Sequence, residues 1–276
     1  MRKSTATRGA TLKIGSQAER SSAISASNAE TIVVRGHDLC GELVGAITFT
    51  DHVWLLITGK LPGAAQRRVL DATLVAIAEH GLVPSVAASR MTLAAAPEAL
   101  QGAVAAGILG CGSVILGSAD AAARLFAAVH ARSESPEVAA RVVLDELRAA
   151  RRPVPGYGHP LHKRQDPRVA RLLSVATEAG LAGRHIEIAG LIERLVPEIW
   201  GRQLAMNVSG AIAAVLMDAG YPLLAVKGVP MLARTASLIA HLTEEQQRPI
   251  GFVIADEGAS AIDYDGRRPD GFEPGE

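Results

Sequence analysis

Through most of this chain apolar residues recur every three or four positions, in runs that glycine or proline closes. That period belongs to helices buried along one face. Residues 51–58 (DHVWLLIT) end at Gly59 with Pro62 beyond, the order of a helix stop. Residues 66–80 place Leu70, Leu74 and Ile77 on one face and stop at Gly81. Residues 97–131 are helix-forming but interrupted by Gly107, Gly110, Gly112 and Gly117, which predicts two buried helices meeting at a glycine-rich bend. Ser135-Pro136-Glu137 then supplies an N-cap, a first-turn proline and an acid near the positive end of a helix dipole. That helix is expected to run to about residue 150 with Val138, Val142 and Leu147 facing inward. Residues 152–166 hold three prolines and two glycines and read as a loop. Helical patterns resume at 166–179, 186–204, 208–219 and 229–242. Residues 251–265 are the only plausible extended piece, so the expected fold class is all-α.

Composition agrees with that class. The chain of 276 residues is 49% hydrophobic but only 3% aromatic, so its core must be built from Ala, Val, Leu and Ile, which suits closely packed helices. The length allows one large domain or two modest ones. Residues 1–28 read as a loose arm, 29–255 as the helical body and 256–276 as a polar, Gly/Pro-rich tail. Basic and acidic residues balance at 28 each, which argues against nucleic-acid or anionic-membrane binding. Residues 99–119 carry no charge, yet they hold five glycines and a glutamine and have no neighbouring span, so buried small-residue helices are the better reading than a membrane segment. Cys40 and Cys111 lie outside any metal-ligand spacing and read as buried free thiols. The basic N-terminus lacks the apolar stretch of a secretory signal, and the expected location is the cytoplasm.

The segment richest in chemistry is Gly156-Tyr157-Gly158-His159-Pro160-Leu161-His162-Lys163, followed by Asp166-Pro167-Arg168. A Gly/Pro-constrained loop fixes a histidine while leaving its ring free for a ligand. A second histidine, a lysine and an arginine nearby make a positive pocket suited to carboxylates. From composition alone, a surface turn with bystander histidines reads the same way. His159 and His162 have no acidic or cysteine partner clustered with them, so no metal is expected. His37, His52, His80, His130 and His185 stand singly on helices or at helix ends, and His241 reads as a satisfied core histidine. No phosphate loop or dinucleotide fingerprint occurs.

This loop resembles the "GHP-x-HK-x-x-DPR" form found in short citryl-CoA lyase-like members of the citrate synthase superfamily. Other blocks fall in the family's order: Arg35-Gly36-His37-Asp38-Leu39, residues 52–62 (HVWLLITGKLP), His80-Gly81 with Pro84-Ser85 and Ser89-Arg90, Ala233-Arg234-Thr235 through His241, and Arg248-Pro249. Together they span residues 31–250. The resemblance implies a nearly all-helical homodimer that closes over its substrates, with a smaller helical part covering the cleft. It implies no permanently bound cofactor; a coenzyme A thioester would be substrate, alongside a small carboxylate. By resemblance, His159 would contact the oxygen on the quaternary carbon. His162, Lys163, Arg168 and Arg234 would bind substrate, with Arg234 on a carboxylate, and Arg248 would reach into the neighbouring subunit's site.

Two departures from the family pattern bear on the chemistry. Leu116 stands where citrate synthases carry a catalytic histidine, and Ser209, after Asn207-Val208, stands where they carry the aspartate base. Making an enolate from acetyl-CoA needs a positioned base and a donor for the thioester oxygen. Leucine donates nothing, and serine is a weak base unless activated. Cleavage starts instead at a tertiary hydroxyl, a proton that His159 suits by analogy, with Ser209, Asn207 or His162 as groups for the enolate. The leading expectation is therefore cleavage of citryl-CoA, or a related hydroxyacyl-CoA, to acetyl-CoA and oxaloacetate. A citrate or methylcitrate synthase-type acyltransferase with altered catalytic groups is the alternative within enzymes. A catalytically silent carboxylate- or acyl-CoA-binding protein is the alternative outside them.

Overall fold

The computed structural model describes residues 21–114, 116–158 and 165–272. The chain divides into two compact units, residues 1–61 and 62–276.

In the first unit, β1 (Ser25–Ser27), β2 (Ile32–Val34) and β3 (His37–Asp38) form an antiparallel sheet in that order. Ser25 pairs with Val34 and Ser27 with Ile32, while Val34 pairs with His37 across a two-residue turn. Both turn residues, Arg35 and Gly36, have positive φ, which matches the turn to the twist of its strands. A non-glycine residue tolerates that conformation at a cost of roughly 1 kcal/mol. Arg35 is held there by two guanidinium bonds to the Leu56 carbonyl, at 2.9 and 2.6 Å. The sheet leads through a π turn (Leu39–Leu43), capped by the Asp38 carboxylate, into α1 (Phe49–Thr58). Thr48 and Asp51 form a reciprocal capping box, and Gly59 ends the helix in the left-handed conformation. Val34, Leu43 and Leu55 are this unit's buried core.

The second unit is helical: α2 (Ala64–Ala78), α3 (Pro84–Ala95), α4 (Leu100–Leu109), α5 (Ser118–His130), α6 (Pro136–Ala149), α7 (Pro167–Glu178), α8 (Arg184–Trp200), α9 (Val208–Asp218), α10 (Gly228–Gln247) and α11 (Gly251–Ser260). α9 is the centre, with every residue from Val208 to Leu216 buried. It has no charge before Asp218, and its small residues let α2, α5, α7 and α8 pack around it. A second layer is built from α3 and α4 against α10. Gly107 sets its closest approach, since a Cβ there would lie 2.6 Å from a Leu238 methyl and 2.9 Å from the Ser85 carbonyl. The stretch Leu223–Gln247 is long and apolar enough to cross a membrane by length and composition alone. Its Val229, Ala233, Leu238 and Leu242 are core residues here.

The all-α class and the two helices meeting at the glycine bend are as the periodicity predicts. Five details differ. The expected loose arm through residue 28 contains β1, whose backbone pairs with β2, so the extended backbone lies at 25–38 and not at 251–265, where it was expected. The buried face of α6 is Ala139, Ala140, Val143 and Leu144, one position on from the expected stripe, and Val138 is 48% exposed. Alanines set that contact because closely packed helices favour small side chains at the interface, whereas the periodic reading had followed the larger residues. α8 stops at Trp200 rather than near residue 204 because Gly201 turns left-handed. Residues 251–260, expected to be extended and partly tail, form α11. The Glu245 carboxylate accepts from the backbone N–H groups of Ile250 and Gly251, which starts that helix, and Gly251 fits against Ala94 of α3. Finally, of the two free cysteines Cys111 is buried but Cys40 is exposed, since it lies in the turn before α1.

Candidate active site

Within the second unit a cavity of about 580 Å³ is lined from several directions by chain segments between residues 77 and 234. The N-terminal ends of four helices reach it: Val83 before α3, Ser118 of α5, Arg168 of α7, and Asn207 with Ser209 of α9. Helix N-termini present unpaired N–H groups and the positive end of the dipole, so their convergence favours an anionic ligand.

The loop before the cavity is fastened to α9. Asn207 N–H donates to the Gly156 carbonyl at 2.9 Å, and Gly158 N–H to the Ala205 carbonyl at 2.7 Å. Gly156 and Gly210 permit this closeness, because a Cβ on Gly210 would lie 2.6 Å from the Gly156 carbonyl oxygen. Tyr157 is buried and donates its hydroxyl to the Ala189 carbonyl at 2.6 Å; burial holds its pKa well above the usual phenol value. Asn207 is held at both ends of its side-chain amide. Its amide oxygen accepts from Ser209 and Gly210 N–H as the α9 cap, and its amide nitrogen donates to the Gly158 carbonyl at 2.7 Å.

Asp166 ties α7 to α9. Its buried carboxylate caps α7, accepts two guanidinium bonds from Arg168 at 2.9 and 2.8 Å, and accepts Val208 N–H at 3.1 Å. Burial would raise its pKa, but the bonds from Arg168 and Val208 outweigh that and keep it below the usual carboxylate value. Arg168 thus faces the cavity already paired. Arg234 does not: it lies on α10, 3% exposed, and its Nε and Nη1 have no hydrogen-bond partner among the described residues. Burial lowers its pKa, Arg168 pushes the same way, and Glu79 offsets part of the effect. An unsatisfied buried guanidinium on a cavity wall calls for an acceptor, which an anionic ligand in the cavity would supply.

Glu79, beside the cavity residue His80, anchors this wall. It accepts from Ser237 Oγ, His241 Nε2 (3.0 Å) and Gly81 N–H. Burial would raise its pKa, but these bonds lower it. His241 also accepts from the buried Arg90 at 3.3 Å, and Arg90 pairs with Glu245 at 2.7 Å. His241 is therefore bonded on both ring nitrogens, as expected of a satisfied core histidine.

Elsewhere on the cavity lining, the hydroxyls of Ser118 and Ser209 hydrogen-bond at 2.7 Å. Beside them Leu116 lines the cavity in a left-handed conformation, φ 64°, at the close of a turn in which Gly117 N–H meets the Gly112 carbonyl. An apolar side chain here offers no donor.

Of the residues expected at the site, Asn207, Ser209, Arg168 and Arg234 line this one cavity. Arg248 does not; it ends α10 with its side chain 81% exposed, 3.7 Å from Glu244. His159, His162 and Lys163 lie outside the described residues, although Gly158 and Arg168, on either side of them in sequence, both line the cavity. Sequence reasoning missed Ser118, the Gly156–Gly210 contact and the clamp that Asp166 makes to α9. His80, by sequence a single histidine at a helix end, is on the cavity wall. Among the described residues no three His, Cys, Asp or Glu side chains cluster as metal ligands.

Residues 64–251 match the family model described as citrate synthase, C-terminal domain. Among curated proteins, the citrate/2-methylcitrate synthase of Bacillus subtilis is 25% identical over 203 residues, covering 72% of this chain and 53% of that protein. ATP-citrate synthase subunit 1 of Sordaria macrospora is 26% identical over 207 residues, covering 70% of this chain and 30% of its own length. The chain thus spans about half the length, or less, of these curated relatives. Among solved structures, the citryl-CoA lyase from Hydrogenobacter thermophilus superposes with a TM-score of 0.81 at 29% identity, covering 92% of this chain and 97% of that one. The Methanosaeta concilii ATP citrate lyase in complex with (3S)-citryl-CoA, at 22% identity and a TM-score of 0.72 over 96% of this chain and 43% of that one, shares the fold.

Proposed function

Because this chain belongs to the citrate synthase family, we propose that it is a carbon–carbon lyase that cleaves citryl-CoA, or a related hydroxyacyl-CoA, to acetyl-CoA and oxaloacetate. The observation that carries the reading is Arg234, buried on the cavity wall with two guanidinium nitrogens unpaired. A substrate carboxylate supplies the missing acceptor and charge, with Arg168 and the helix N-termini adding to the positive field. The likeness to a citryl-CoA lyase over nearly the full length of both chains supports cleavage in particular.

Cleavage begins with loss of the tertiary hydroxyl proton. By resemblance the base is His159, whose side-chain type titrates near pH 6.5 when unperturbed. The carbon–carbon bond then breaks to a ketone and a thioester enolate. Coenzyme A enters as part of the substrate rather than as a resident cofactor. The homodimer and the cytoplasmic location belong to the same proposal.

A coupled assay tests it: purified protein with citryl-CoA, oxaloacetate read by malate dehydrogenase, and an enzyme-free blank for thioester hydrolysis. Turnover that disappears in His159→Ala while the fold persists is the expected result. No cleavage, with citrate or CoA still raising the melting temperature, favours the silent binding protein that Leu116 and Ser209 also permit.

A further inference from the structure

We propose that Ser118 and Ser209 form a two-hydroxyl relay that holds the thioester oxygen during cleavage, with Ser209 the catalytic donor and Ser118 the residue that positions it. The inference rests on the lyase reading above. The two hydroxyls are 2.7 Å apart, come from separate helices, and both face the cavity. Either hydroxyl can donate across this contact; the relay uses the arrangement in which Ser118 donates, so that Ser209 spends a lone pair on its neighbour and has its own proton for the ligand. Among the described residues no other group bonds to the Ser209 hydroxyl. A hydroxyl that accepts one hydrogen bond becomes a better donor of the next, and Ser118 also fixes where that donor points.

The surroundings suit an oxyanion. Ser118 opens α5, which has no side-chain cap, and Ser209 lies in the first turn of α9, so both helix dipoles add positive potential at the relay. Leu116 beside it, itself nearly buried, keeps one wall apolar, which strengthens a hydrogen bond to a developing charge. Arg234, on the same cavity, is assigned the carboxylate end of the substrate, so the relay is left for the thioester end.

In the reaction, the tertiary hydroxyl gives its proton to the base and its oxygen becomes the ketone. The pair of electrons from the broken carbon–carbon bond passes to the thioester fragment as an enolate, with negative charge on the thioester oxygen. Ser209 O–H bonds to that oxygen without transferring its proton. One proton equivalent, equal to the one removed, returns to the methylene carbon and completes acetyl-CoA. No oxidant or further reactant is needed. The relay does what a charged donor does elsewhere, with two neutral hydroxyls.

Steady-state cleavage of citryl-CoA is compared for the wild type, Ser118→Ala, Ser209→Ala, the double variant and Ser118→Thr. Ser209→Ala is expected to lower kcat about 100-fold with KM little changed, the usual effect of losing one oxyanion donor. Ser118→Ala should lower it about 10-fold, the double variant should match Ser209→Ala, and Ser118→Thr should recover most of the loss. Calorimetry with carboxymethyl-CoA, whose carboxylate imitates the enolate oxygen, should show weaker binding to both alanine variants, with CoA itself bound unchanged. A wild type that cleaves while the alanine variants keep its kcat, or multiply their losses in the double variant, overturns the relay alone. Equal weakening of CoA and carboxymethyl-CoA also overturns it, as a general disturbance of the site. A wild type that does not cleave citryl-CoA overturns the lyase reading and the relay with it.

Discussion

Arg234 and Asp166 show two ways of burying charge beside one cavity. Asp166 is satisfied within the chain, so its ionised form stabilises the fold; Arg234 is left with two nitrogens unpaired among the described residues, which under the proposed function a ligand completes. Replacing Arg234 with methionine should therefore raise the stability of the unliganded protein by about 1 kcal/mol, because an unpaired buried polar group costs on that order. If the proposed function holds, citrate should raise the melting temperature of the wild type but not of this variant; a thermal-shift titration reads both effects. Asp166 behaves in the opposite way. Its pKa is depressed in the folded state, so its contribution is complete above its unfolded value near 4 and is lost as pH falls through the lower folded value. Asp166→Asn is expected to cost about 2–3 kcal/mol at pH 7. Urea unfolding at successive pH values should show the gap to wild type closing below about pH 4.

At the scale of elements, the site depends on how tightly the 153–158 loop lies on the first turn of α9. Two glycines face each other there, and the loop carbonyl of Gly156 receives Asn207 N–H. Gly210→Ala puts a methyl 2.6 Å from that carbonyl and 2.9 Å from Met206 Cγ, neither of which is free to move far. Overpacking of this kind costs roughly 1–3 kcal/mol. At about 2–4 °C per kcal/mol for a unit of this size, calorimetry should find the transition several degrees lower. Under the proposed function citrate binding should weaken too, because Gly156, Asn207 and Ser209 line the same cavity. The helices of this wall were legible as helices: Asn207 and Asp166 are residue types that cap, and both do. That Asp166 also reaches Val208, 42 residues on, was not legible, since capping preferences concern only the next turn of chain.

At the scale of the molecule, the second unit is a core helix with others wrapped around it, and its cavity gathers residues that the chain keeps up to 157 positions apart (77 to 234). Arg248 stands apart from that cavity on an exposed surface. If it serves a neighbouring subunit, as the family resemblance implies, its loss harms catalysis but not stability. Arg248→Ala should unfold within about 0.5 kcal/mol of wild type, as an exposed substitution does. Mixing equal amounts of inactive His159→Ala and Arg248→Ala under conditions that exchange subunits should restore about a quarter of wild-type activity, since half the dimers are mixed and each of those carries one intact site. Activity that stays absent in the mixture, with exchange verified by mass, would confine any role of Arg248 to its own subunit.

The sequence by itself determined the helical class, most helix ends and the bend between α4 and α5, because these follow from apolar period, caps and glycine stops within a few residues of each other. Through the family's motifs it also marked Asn207, Ser209, Arg168 and Arg234, which line one cavity. It misjudged α11 and the inward face of α6, where the deciding contacts, Glu245 to Gly251 and alanine against neighbouring helices, are tertiary. Only the tertiary structure decided that Ser118 meets Ser209 across 91 residues, that Gly156 fits against Gly210, and that Arg234 is buried with two nitrogens unpaired among the described residues. Local propensity is an energy of near neighbours along the chain; a site is an energy of neighbours in space, fixed once the helices have packed.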